Sequence, residues 1–120
     1  MSSPVPTEIK FHQASRVLEV SFDDGVVFKF TTEFLRVNSP SAEVRGHGPG
    51  QETLQLGKED VTIENIEPVG QYAIKPTFSD GHNTGIFSFQ ELYRLGINQE
   101  ALWKDYLQQL KDAGHERKAH

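Results

Sequence analysis

The chain has 120 residues, of which 36% are hydrophobic and 24% charged, with a net charge of −5. This suits one globular domain burying roughly two thirds of the surface its unfolded chain exposes, and excludes a disordered chain. The acidic balance argues against a general nucleic-acid binder, which needs clustered Lys and Arg; the absence of cysteine excludes disulfides, thiolate catalysis and Cys-ligated zinc or iron–sulfur clusters.

Met1-Ser2-Ser3-Pro4-Val5-Pro6 has no basic region followed by an apolar run, so it does not read as a signal peptide. No apolar run approaches the ~20 residues of a membrane span. With no cysteine, the expected location is the cytoplasm. Residues 1–6 are a Pro/Ser lead-in and residues 113–120 a polar tail, leaving a single domain over 7–112.

Thr7 to His12 alternates Ile9 and Phe11 as a strand does. Arg16 to Phe22 and Val26 to Thr31 flank Asp23-Asp24-Gly25, a hairpin signal. A two-residue loop would put Lys29 on an apolar face. A three-residue loop instead pairs Phe22 with Val26, Val20 with Phe28, Leu18 with Phe30 and Glu19 with Lys29. It separates an apolar face from a charge-paired one, with Gly25 in the left-handed conformation. Glu59 to Glu67 carries Val61, Ile63 and Ile66; the slip in alternation after Ile63 predicts a bulge or a strand end near Asn65.

Tyr72 to Phe78 and His82 to Phe87 flank Ser79-Asp80-Gly81 and repeat the hairpin logic. The predicted pairs are Phe78 with His82, Pro76 with Thr84 and Ile74 with Ile86. Pro76 cannot donate to a ladder, so this strand is an edge or is interrupted there. Ser88-Phe89-Gln90-Glu91 is a capping-box pattern, and Gly96 is placed to stop the helix. Asn98 is placed to cap a second helix, whose stripe is Leu102, Trp103, Tyr106, Leu107 and Leu110. Burying Leu102, Leu107 and Leu110 would contribute roughly 1.5–3 kcal/mol each before entropy.

Between the two β-rich regions runs Leu35-Arg36-Val37-Asn38-Ser39-Pro40-Ser41-Ala42-Glu43-Val44-Arg45-Gly46-His47-Gly48-Pro49-Gly50. Charge and backbone freedom concentrated in one loop point to recognition. Ser39-Pro40 has the form of a helix start, so Ser39 to Arg45 is expected to be a short helical segment. The glycines are not a phosphate loop: Gly57-Lys58 is followed by Glu59, and no G-x-G-x-x-G joins a strand to a helix. Ser79, Asp80 and His82 are too close in one turn for triad geometry. Asp23-Asp24 is accounted for by turn formation.

The order hairpin, Leu-Arg loop, strand, Asp-Gly-His hairpin and terminal helix resembles a known domain. The residues that carry the likeness are Leu18 to Gly25, Phe34-Leu35-Arg36, Ser39 to Gly48 and Phe78 to Phe87. They resemble the N-terminal domain of gamma-butyrobetaine hydroxylase and trimethyllysine dioxygenase, and more closely the stand-alone bacterial proteins of unknown function built from that domain. In those hydroxylases the resemblance implies a zinc held by three cysteines and the Asp-Gly-His histidine. Carried over by motif, these positions are Ser39, Ser41, Val44 and His82, so only the histidine remains. No cofactor is therefore expected, and hydroxylase activity does not carry over without its catalytic domain.

These readings lead to an α+β fold: a mainly antiparallel sheet of about five or six strands built from two hairpins, with C-terminal helices packed on it. The expected function is a non-enzymatic interaction or adaptor domain that binds a protein partner through the Arg36–Gln51 loop. The candidate residues are Arg36, Ser39, Ser41, Glu43, Arg45, His47 and Gln51. Arg36, Glu43 and Arg45 either pair within the loop or receive a carboxylate or phosphate from the partner. One alternative is an iron- or zinc-binding accessory domain using His82, His47 and Glu43, a 2-His-1-carboxylate set; similar domains fused to P-loop ATPases of iron–sulfur cluster assembly imply such a role. The other is a homodimerisation module. No nucleic-acid or membrane partner is expected.

Overall fold

The computed structural model describes residues 4–41, 44 and 54–116. Among these residues the fold is α+β, with six strands and C-terminal helices, and the strands divide into two antiparallel three-stranded sheets. β1 (Pro6–His12), β2 (Val17–Phe22) and β3 (Val27–Thr31) form the first sheet in that order. The pairs Leu18↔Phe30, Glu19↔Lys29 and Val20↔Phe28 are those the charge pattern requires. The Phe22 amide donates to Val26 at 2.8 Å, and Gly25 has φ +86°, the left-handed turn expected of a three-residue loop.

A helix absent from the sequence reading follows directly. α1 (Thr32–Val37) begins where the Thr31 hydroxyl accepts from the Phe34 amide at 3.1 Å. Ser39, Pro40 and Ser41 lie beyond it and are not helical, so the expected segment does not begin at Ser39; Val44, within it, is helical, and residues 42, 43 and 45 lie outside the described residues. Phe34 and Leu35 are each 1% exposed, and this burial holds so short a helix in place.

The second sheet runs β4 (Ile63–Val69), β5 (Ala73–Phe78) and β6 (Phe87–Ser88). The bulge expected after Ile63 is present, since the register shifts between Ile63 and Asn65. The strand then continues to Val69 and turns at Gly70, φ +54°, into an unanticipated hairpin with β5. At the Ser79-Asp80-Gly81 turn, Phe78 accepts from the Gly81 amide and donates to His82, each at 2.9 Å. The predicted register is lost beyond it: Ile74 pairs with Phe87, not Ile86, and residues 83–86 form no strand. Pro76 offers no N–H to a ladder on that side. The one-residue shift buries Phe87 and leaves Ile86 45% exposed.

α2 (Phe89–Ile97) opens on Ser88, whose hydroxyl accepts from the Glu91 amide at 3.0 Å. Gly96 does not stop this helix; it lies inside it. A Cβ there would stand 2.4 Å from the Phe28 ring, so glycine lets α2 approach β3 closely. Asn98 closes α2, donating its side-chain amide to the Arg94 carbonyl at 2.9 Å, and makes no side-chain cap for α3 (Gln99–Asp112). On α3, Tyr106 and Leu110 are buried, while Leu107 lies at the stripe's margin and is 40% exposed, contrary to its expected burial.

One core joins both sheets, α1 and α2: Leu18, Val20 and Phe30 meet Ile63, Phe78 and Phe87, with Phe34, Leu35, Leu92 and Leu95 between them. Phe30 and Phe34 stack at 5.9 Å between ring centroids, and Tyr93 meets Phe22 edge-on at 5.0 Å. A smaller cluster of Val37, Tyr106 and Leu110, with Leu54 and Trp103, attaches α3.

Candidate functional site

The stretch after α1 packs on the second hairpin. Arg36, in the last turn of α1, has its side chain 8% exposed, and its Nε donates to Asp80 Oδ2 at 2.9 Å. Lys58 Nζ donates to the same oxygen at 2.7 Å. Asp80 Oδ1 accepts from the His82 amide at 3.2 Å, an Asx-type contact that shapes the turn. Partial burial alone would raise the Asp80 pKa. The hydrogen bonds from Lys58, the His82 amide and Arg36, together with the Arg36 charge, outweigh it and hold the value at about 2. Arg36 Nη1 is buried and finds no hydrogen-bond partner among the described residues.

Three residues further on, Ser39 Oγ and His82 Nε2 are 2.9 Å apart. Ser39 is wholly buried and His82 is 5% exposed, its ring tilted against Phe78 at 5.9 Å. Ser41 Oγ lies 2.7 Å from Thr84 Oγ1. Val44 is 4% exposed. Gly85 closes the arrangement, because a Cβ there would fall 2.1 Å from Ser39 Oγ.

Three of the predicted residues, Arg36, Ser39 and Ser41, are thus brought together with His82, each turned inward onto the second hairpin. Arg36 finds its carboxylate across the fold at Asp80. Glu43, Arg45, His47 and Gln51 lie outside the described residues. Of the alternative metal set only His82 is described. Among the described residues no three His, Asp or Glu side chains converge as metal ligands do. The sequence reading assigned Asp80 to a turn and gave Lys58, Thr84 and Gly85 no role at the site. The signal available was Asp80-Gly81-His82, whose aspartate serves both the turn and the cations.

Ser39 and His82 have the spacing of a nucleophile and its base. Both are buried: Ser39 has no exposed surface and His82 is 5% exposed. The pair is a buried clamp between α1 and the second hairpin.

This architecture has relatives. The family model described as "Gamma-butyrobetaine hydroxylase-like, N-terminal" matches residues 9–93. The chain belongs to that family. A solution NMR structure of a protein 43% identical covers 98% of this chain and 92% of its own, with a TM-score of 0.83. A second NMR structure, 45% identical, covers 98% and 94% with a TM-score of 0.82. The crystal structure at 1.93 Å of a protein of unknown function from Acidithiobacillus ferrooxidans ATCC 23270, assigned to the DUF971 family, is 43% identical and covers 76% of this chain and 91% of its own, with a TM-score of 0.65. No curated protein matches the chain.

The gamma-butyrobetaine hydroxylase-like fold brings Ser39 to His82, with Ser41 and Val44 buried close by in sequence. The residues present do not fit the zinc that the resemblance implies. Four tetrahedral donors of the thiolate, imidazole or carboxylate type are needed; this set offers one imidazole, two hydroxyls and a valine. The imidazole nitrogen facing the set is already hydrogen-bonded to Ser39. Among the described residues, no helix is long and apolar enough to cross a membrane.

Proposed function

We propose that this chain is a non-catalytic interaction domain of the cytoplasm that presents the segment between Ser41 and Leu54 to a protein partner. The observation that carries the reading is that both ends of this segment are pinned to the same scaffold. On the leading side, Arg36 is bonded to Asp80, Ser39 to His82 and Ser41 to Thr84. On the trailing side, Leu54 packs on the Tyr106 cluster, the Tyr106 hydroxyl donates to the Gln55 carbonyl at 2.6 Å, and Lys58 returns to Asp80. A segment anchored at both ends on a packed scaffold is a common way for a small domain to offer a recognition surface. Its sequence, with Glu43, Arg45, His47 and Gln51 among glycines, supplies charge and donors for a polar partner. Arg36, Ser39 and Ser41 then serve by holding the segment's base.

The test is affinity capture from the native cell with wild type and with Arg45→Ala/His47→Ala, after circular dichroism has established equal folding. A partner enriched by wild type and lost with the variant supports the reading; a partner retained by the variant moves the interface elsewhere. Metal analysis of the purified protein tests the accessory metal role, and light scattering at several concentrations tests homodimerisation.

A further inference from the structure

A second surface, outside the segment just discussed, has the chemistry of a ligand site. Where β3 and α1 meet the α2–α3 junction there is an open cleft of about 640 Å³, within the usual range for ligand pockets. Its walls include Phe34 and Trp103, whose ring centroids lie 6.4 Å apart, and Ile97, which is 64% exposed. Glu33, only 4% exposed, and Glu100, exposed, both line it. Among the described residues lining it there is no lysine or arginine. The neighbouring cleft of about 370 Å³ shares Thr31 and Glu33 but includes Arg16.

We propose that the cleft formed by Glu33, Phe34, Ile97, Glu100 and Trp103 receives a lysine side chain of a partner protein. An indole face attracts a cation through its quadrupole, most strongly among the aromatic side chains. The exposed Glu100 carboxylate reinforces it, and the chain's net charge of −5 adds attraction at longer range. Exposed apolar surface at Ile97 and the aromatic walls match the four-carbon stem of lysine, which packs along such surface while its ammonium reaches a polar group. Arg16 in the adjoining cleft confines a cation to the larger one. The inference does not depend on the segment between Ser41 and Leu54.

Trp103 is the chain's single tryptophan, so its emission reports on the cleft directly. The probe is a capped Gly-Gly-Lys-Gly-Gly peptide, titrated into the full chain at low salt and again at 0.5 M salt (~3–5 Å screening length). The expected result is a saturable emission change in the millimolar range or tighter, weakened by salt, and at least about tenfold weaker for the same peptide with norleucine or acetyl-lysine. Glu100→Gln, at an exposed position safe for folding, is expected to weaken binding about three- to tenfold. Equal binding of the norleucine peptide, or unchanged affinity in folded Glu100→Gln, would overturn the proposal. So would butylammonium binding more tightly than the peptide, since that assigns the cleft to a free amine.

Discussion

Asp80 bears two cations on one carboxylate oxygen, and Asp80→Asn tests how much that junction contributes. The substitution keeps the shape and an acceptor oxygen but removes the charge. Arg36, 6% exposed, has little water to turn to. Removing one member of a fully buried pair costs about 3–5 kcal/mol. Here the Asp80 and Lys58 side chains are each 20% exposed, so solvent screens part of that cost. The lowering of the Asp80 pKa from 3.8 to about 2 corresponds to at most ~2.4 kcal/mol, and screening brings it to about 1–2 kcal/mol. The expected loss for Asp80→Asn at pH 7 is therefore about 2 kcal/mol, or roughly 6–12 °C in Tm for a domain of this size. The sign of the pH dependence follows. A carboxylate whose folded pKa lies below its unfolded value stabilises fully above the unfolded value, and that stability is lost as pH falls through the folded one. Thermal melts followed by circular dichroism should show wild type and variant well separated at pH 7 and converging between pH 4 and pH 2. A variant within about 0.5 kcal/mol of wild type at pH 7, or a gap unchanged down to pH 2, would refute the reasoning.

Gly96→Ala should destabilise by about 1–3 kcal/mol in a denaturant titration, because the methyl meets the Phe28 ring; an ordinary helical glycine would instead gain about 1 kcal/mol. Leu107→Gln should stay within about 0.5 kcal/mol of wild type. Leu110→Ala on the same helix should cost about 2–5 kcal/mol, since Leu110 is 3% exposed. Ser39→Ala should cost about 1–3 kcal/mol by weakening the hold on buried His82. A melting temperature unmoved by chelator in both wild type and Ser39→Ala is the accompanying expectation, and a large drop on chelation would show that a metal holds the fold.

How much was legible in the sequence depended on how local the deciding physics was. The register of β2 against β3 was readable because Glu19 and Lys29 leave only one pairing that keeps charge off the apolar face. The bulge after Ile63 was readable for the same reason, as a break in alternation. The register of β5 against β6 was not: Pro76 announces an interruption but not its length, and it is the burial of Phe87 that sets where pairing resumes. Gly96 and Asn98 have the composition of a helix stop and a helix start. What decides their roles is Phe28, which lies 68 positions from Gly96 (96 − 28), and a bend that keeps Asn98 bonded to Arg94. α1 was missed because six residues give too little periodicity to see; it stands on burial, the Thr31 cap and contacts to distant parts of the chain. At the site, the Arg36–Asp80 and Ser39–His82 contacts each join residues more than forty positions apart, beyond the reach of any pattern in one chain.

The Ser39–His82 clamp stands where the family resemblance implies a metal ligand set, and the two differ widely in energy. Structural zinc in a small domain contributes about 10–16 kcal/mol of apparent free energy, whereas one buried hydrogen bond contributes about 1 kcal/mol. Serine for cysteine is therefore not an energetic replacement, and other contacts must hold the loop's base. They are present on every side: the Arg36–Asp80–Lys58 junction in front, Ser41 on Thr84, Val44 buried, and Gly85 pressed to Ser39 so closely that no other residue fits. The Thr32 hydroxyl adds a tie across to the Val61 carbonyl at 2.5 Å, joining the start of α1 to the approach of β4. Stability spread over many modest contacts leaves no single side chain indispensable. It also makes the geometry of Ser39 and His82 a consequence of the surrounding packing.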